Sequence, residues 1–184
     1  MALSPAAPRK KLHNRQIVVE GFEREDGLFD IEAELIDTKT YAFNIGHREL
    51  AVGDSLHRMR ARLTVNFDFE IVAAEAVTLA GPFSICAGGA ESFSKLVGLT
   101  IKAGFLKAAN ERLGGVMGCT HIREFLQQMA TIAFQTTYPA RARREEAQSA
   151  TGDKKPPRLL NTCFAYDSTR AAVKERFPEY YTGE

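Results

Sequence analysis

The sequence predicts an α+β domain: an antiparallel meander sheet with helices packed on one of its faces. Three observations carry this. Residues 28–37, LFDIEAELID, alternate apolar and acidic side chains, and a period of two is the mark of a half-buried strand. Residues 56–66, LHRMRARLTVN, alternate again, with arginines in place of the acids. Beyond Pro82 the period changes to that of helices. Strands first and helices after is the order of an α+β fold.

The elements follow in order. Residues 1–14 are rich in Pro, Ala and Lys and read as a flexible arm. RQIVVEGFE, from Arg15, is a first strand, and Glu25–Gly27 is a turn in which glycine accepts the positive φ a tight reversal needs. In the next strand Phe29, Ile31, Ala33 and Leu35 share one face and Asp30, Glu32 and Glu34 the other. In the third, His57, Met59, Ala61, Leu63 and Val65 face one way and Arg58, Arg60 and Arg62 the other. Acids on one outer face and arginines on the other make these strands antiparallel neighbours, each opposite-charge pair adding about 0.2–1 kcal/mol. FEIVAAEAVTLA continues the meander through a turn at Asn66–Asp68.

ESFSKLVG reads as a short helix ended by Gly98, and TIKAGFLKAANERLGG as a helix capped by Thr100 and closed by Gly114–Gly115. THIREFLQQMATIAFQT places Ile122, Phe125, Leu126, Met129, Ile132 and Ala133 on one buried stripe. Residues 141–158 are charged and broken by Gly and Pro, which predicts a flexible segment. A tail over 159–184 contains a short helix from Ser168 to Pro178. The single α+β domain is thus expected over residues 15–140.

Composition narrows the function. Of 184 residues 45% are hydrophobic, enough for a real core, and the formal charge is +1. A balanced charge argues against a nucleic-acid partner. No run of about 18 apolar residues is present, so no membrane partner is expected. An odd number of cysteines behind a start with no apolar signal region points to the cytoplasm and to free or metal-bound thiols.

GGVMGCTHIREFL, residues 114–126, places one of three cysteines and one of four histidines at the start of a helix. A helix N-terminus stabilises anions, which favours the thiolate of Cys119. Cys119 and His121 offer two metal ligands from one loop. His57 lies on the apolar side of its strand, facing the helices. The antiparallel pairing returns the chain beside His57 just before Cys86, so His57, Cys86, Cys119 and His121 converge on one edge as ligands for Zn or Fe. Asp54 would orient His57 or be a ligand itself. Three ligands plus water would make the site catalytic, with Asp54, Cys119 and His121 carrying the chemistry; four would make it structural. Two alternatives stay open: a metal-free thiol enzyme using Cys119 with His121 or His57 as base, and a purely structural cysteine and histidine. Asp26, Asp30 and Asp37 form a second acidic group, read as a solvated strand face, with Asp37 and Lys39 at a strand end able to line a pocket. Cys163 reads as structural or free. Tyr166, Tyr180 and Tyr181 supply tail packing or a homo-oligomer surface.

EREDGLFDIEAELIDTKTY, GDSLHRMRARLTVNFDFEIVAAEA, PFSICAG, LVGLTIKAGF and LGGVMGCTHIREFL together resemble the bacterial family called domain of unknown function 2889, over residues 15 to about 140. That resemblance implies no set activity, and it associates the chain with aromatic-compound catabolism. A remoter resemblance, over residues 53 to about 130, is to U-type iron–sulfur cluster scaffold proteins, which implies a scaffold-like fold. By that likeness Asp54 matches the scaffold aspartate, Cys86 the middle cysteine and Cys119 the last one. Val52 stands where the first cysteine would be, and Gly118 where a histidine precedes the last. The expectation is a small metal-dependent hydrolase or lyase acting through a Cys/His site on a small organic molecule, an aromatic one by that association. An iron–sulfur or metal-binding scaffold or accessory protein is the alternative class.

Overall fold

The computed structural model describes residues 3–149, 156–157 and 159–184. The chain divides into two compact units, Met1–Arg141 and Ala142–Glu184. The first is built on a four-stranded antiparallel sheet of β1 (His13–Glu23), β2 (Phe29–Lys39), β5 (Ser55–Val65) and β6 (Ile71–Ala80), in the order β1-β2-β5-β6. A hairpin of β3 (Phe43–Asn44) and β4 (Glu49–Leu50) lies between β2 and β5 in the sequence. The meander is the one the alternation requires. Glu32 sits opposite Arg62 and Glu34 opposite Arg60. Glu34 accepts from both Arg58 and Arg60, at 2.9 and 3.1 Å, and Glu32 from Arg62 at 2.7 Å.

The opposite face of the sheet is dry. Phe29, Ile31, Leu35, Met59, Leu63 and Val65 are fully buried, in one core with Phe125, Leu126 and Met129. These last three belong to α4 (Phe125–Ser149), which follows the single-turn α3 (Thr120–Arg123). The stripe expected on THIREFLQQMATIAFQT is therefore the face that covers the sheet, although the helix is interrupted at Glu124.

Three elements depart from expectation. After the single-turn α1 (Gly88–Glu91), the helix expected from Thr100 begins at Phe105, as α2 (Phe105–Leu113). Thr100 instead bridges Glu70, while the Ile71 N–H donates to the Leu99 carbonyl and the Ile71 carbonyl accepts from the Gly98 N–H, so sheet pairing outcompetes the local cap. Gly104, at φ 86°, makes the turn into α2. Residues 141–149, expected to open a flexible segment, continue α4 through Pro139. The Thr137 hydroxyl is buried there and donates to the Ala133 and Phe134 carbonyls, one turn back along the helix. Residues 150–155 and 158 of that segment lie outside the described residues. The third departure is β1, which begins at His13, inside the expected arm; residues 1–2 of the arm lie outside the described residues.

Gly21 on β1 fixes how closely α4 approaches the sheet. A Cβ added there would lie 2.8 Å from the Thr136 Cβ, closer than real side chains come. Gly21→Ala is expected to destabilise the protein by about 1–3 kcal/mol, and Thr136→Gly in the same chain to restore most of the loss. Urea unfolding of the three variants checks this; a Gly21→Ala protein with the wild-type midpoint contradicts it.

In the second unit, α5 (Ala171–Arg176) starts three residues after the expected Ser168, and Val173 is buried. Lys174 lies 5.0 Å from the Tyr181 ring centre and Tyr166 packs against Phe177, so the tail aromatics pack within their own unit. Cys163 is a free, exposed thiol. Among the described residues no helix is long and apolar enough to cross a membrane.

Candidate metal centre

Alternation places Asp37 as well as Leu35 on the inner face of β2. Across the ladder its partner is His57, on the inner face of β5. The register shifts between Asp37 and Thr38, a bulge of the kind that re-aims side chains at sheet ends. Asp37 is 1% exposed. A buried carboxylate needs its oxygens satisfied, and this one accepts from four donors. Arg15 binds it as a fork, Nε to Oδ1 at 2.7 Å and Nη2 to Oδ2 at 2.6 Å. His13 Nε2 lies 3.2 Å from Oδ1, and His57 Nδ1 3.0 Å from Oδ2. Burial pushes the Asp37 carboxyl upward. The bonds from Arg15 and His57 and the charges of Arg15 and His13 outweigh burial and lower it from 3.8 to about 2.

This charge state assigns the protons. An ionised carboxylate only accepts, so His57 Nδ1 carries a hydrogen, and in the neutral ring the lone pair is then on Nε2. A carboxylate has about four lone-pair directions, and all are used. Asp37 therefore holds His57 in one tautomer and orientation.

His121 comes from α3, which packs on β5. Its ring stacks on that of His57, centroids 3.8 Å apart and planes tilted by 32°. Burial lowers the His121 pKa from 6.5; repulsion from His57 and Arg15 adds to this, against Asp37 and Glu124. The ring is neutral at neutral pH, the form that binds metals. Arg15 also pairs with Glu124, at the junction of α3 and α4, so one guanidinium ties β1 and β2 to the segment bearing His121. Asp37, His57 and His121 offer ligand atoms that all lie within 4.8 Å of one another.

The residues singled out from sequence divide between this cluster and other places. His57 and His121 are brought together. Cys119 is the N-cap of α3, as expected, and its Sγ lies 3.9 Å from His121 Nδ1. Neither Cys119 nor Cys86 is a member of the group formed by Asp37, His57 and His121, and only Cys119 has a contact with it; Cys86 is held elsewhere. Its carbonyl accepts from Thr78 at 3.3 Å, and its side chain packs on Gly81. The loop after β6 does return to Cys119, but three residues later: a Cβ on Gly89 would sit 3.2 Å from the Cys119 Cβ. Asp54 does not orient His57. Its Oδ2 accepts the Ala51 N–H at 2.9 Å and closes the turn into β5, and it is exposed. The carboxylate beside His57 is Asp37. Sequence reading also missed His13 and Arg15, which lie one ladder away from Asp37. Asp26 and Asp30 pair with Arg24 near the opposite end of β2, apart from the cluster.

A groove of about 440 Å³ on the outer sheet face runs between Val18 and Val77 over the Glu32, Glu34, Arg60 and Arg62 ladder. With Glu20 and Glu75 its wall carries four acids against two arginines, and it contains no histidine or cysteine.

The family described as "Protein of unknown function (DUF2889)" matches residues 13–135, and the chain belongs to that family. The matched span begins at His13 and includes Arg15, Asp37, His57, Cys119 and His121. No curated protein and no solved structure matches the chain. The likeness to iron–sulfur scaffolds rests on the order of motifs alone.

Proposed function

We propose that the cluster is a metal centre, with His57 and His121 as nitrogen ligands, Cys119 as the sulfur ligand and Asp37 as the carboxylate that orients His57. The observation that carries this is the convergence of Asp37, His57 and His121 from three separate segments to within 4.8 Å. Carboxylate–histidine pairs of this kind fix ligand rings in metal sites. Three protein ligands leave a position for water or substrate. Zn, or Fe, there would polarise a carbonyl or activate water, which fits a hydrolase or lyase acting on a small organic molecule. The resemblance of the chain to proteins associated with aromatic-compound catabolism favours an aromatic one. A cluster scaffold fits less well, since Val52 stands where that likeness calls for a further cysteine.

A metal-free thiol enzyme is the second reading, favoured by the 3.9 Å approach of the Cys119 sulfur to His121. Metal titration separates the two. Wild-type protein is expected to take up one Zn or Fe(II) per chain, and the double variant His57→Ala/His121→Ala to bind it more than about 100-fold more weakly. Wild-type protein that binds neither ion more tightly than the double variant would sink the metal reading.

A further inference from the structure

A cleft of about 330 Å³ lies beside β6, between its last residues and the turn of the β3–β4 hairpin. That volume is within the range of small-molecule sites. Its walls include His47, Arg48, Thr78, Leu79, Phe83 and Ser84, and no acidic side chain of the described residues lines it. Apart from Arg9 in the exposed N-terminal arm, Arg48 is unlike the other arginines of the unit. Arg15, Arg24, Arg58, Arg60 and Arg62 hold carboxylates; Arg112 and Arg141 hold backbone carbonyls, and Arg123 holds Asn110. The Arg48 guanidinium has no hydrogen-bond or ion-pair partner among the described residues. Beside it the His47 ring lies 6.0 Å from that of Phe83, tilted by 38°. Phe83 and Leu79 are 59% and 51% exposed, so they present apolar surface that the core does not use.

We propose that this cleft binds a small organic anion, with its carboxylate on Arg48 and its apolar body against Phe83 and Leu79. A guanidinium receives a carboxylate through two parallel bonds. One permanent charge with one imidazole beside it matches a single carboxylate rather than a polyphosphate. The cleft is linked through the backbone to the segments that carry His57 and Cys119. Ala80 in its wall pairs with Arg58, the residue after His57, and the chain that leaves it reaches Cys119 at Gly89. Calling the anion a substrate rests on the metal-centre reading; the binding does not.

Calorimetric titration of metal-free protein with benzoate, cyclohexanecarboxylate and neutral benzamide tests the inference. Wild-type protein is expected to bind both carboxylates and to bind benzamide at least about tenfold more weakly. Arg48→Gln should lose that preference, Arg48→Lys should keep part of it, and Phe83→Ala should weaken both carboxylates with the preference retained. Metal uptake by Arg48→Gln should equal that of wild type. Equal binding of benzoate and benzamide, or unchanged benzoate binding by Arg48→Gln, overturns the inference. Protein that takes up no metal yet prefers carboxylates through Arg48 supports the inference and sinks the metal reading; metal uptake without the preference does the reverse.

Discussion

Asp37→Ala is expected to cost about 3 kcal/mol of folding stability at pH 7 and to abolish tight metal uptake. Removing one member of a buried ion pair costs about 3–5 kcal/mol, because the partner charge is left without compensation. Arg15 is partly exposed, which keeps the figure at the lower end. The carboxyl gives a comparable magnitude: lowering its pKa from 3.8 to about 2 on folding corresponds to roughly 2 kcal/mol. The sign follows from the direction. A depressed carboxylate stabilises the fold fully above its unfolded value, and the gain is lost as pH falls from about 4 towards about 2. The stability gap between wild type and Asp37→Ala should therefore be wide at pH 7 and narrow through that window. Asp37→Asn keeps the shape but turns an amide donor towards the donors of Arg15, His13 and His57, so it should also fail to hold His57. Urea unfolding without metal, from pH 7 down to pH 3, measures the gap. A gap near zero at pH 7 would mean the four bonds to Asp37 carry no net stability.

Much of this arrangement was legible in the sequence, and the reason for what was missed is specific. The register of β2 against β5 could be read from charge, since Glu32 and Glu34 answer Arg62 and Arg60. That register also pairs Asp37 with His57. Counting Phe29, Ile31, Ala33 and Leu35 on by one more step puts Asp37 on the buried face, where an acid must have partners. Grouping it with Asp30, which is of the other parity, concealed this. Its cations could not be found locally. His13 and Arg15 come from β1, where alternation is weak because the strand is an edge with little buried surface. The false start at Thr100 has the same origin: its bridge to Glu70 is a tertiary fact that overrides local preference. Cys86 was placed by topology alone, which located the loop correctly but not which residue of it, Gly89, would touch Cys119.

Cys119→Ser is the substitution that most sharply divides the readings of the site. If the sulfur is a ligand, exchanging it for a hydroxyl removes the softest donor of three, and Zn affinity should fall more than about 100-fold. Cobalt-loaded wild-type protein should show a thiolate-to-metal charge-transfer band that the variant lacks. The fold should persist, since Cys119 makes no side-chain cap bond and serine is itself a good N-cap residue. Bound metal should shield Cys119 from alkylation by iodoacetamide, and a chelator should expose it. In a metal-free thiol enzyme the outcome differs at each point. Alkylation would then ignore chelator, and His121→Ala would slow it because the neighbouring ring no longer takes the proton. Cys163→Ser is the control: its thiol is exposed in the other unit, so it should change reagent stoichiometry by one group and leave metal content untouched. Full metal content and an unchanged cobalt spectrum in Cys119→Ser would remove Cys119 from the ligand set. The centre would then be limited to His57 and His121, and Asp37 would have to release one of its four bonds to serve as a ligand.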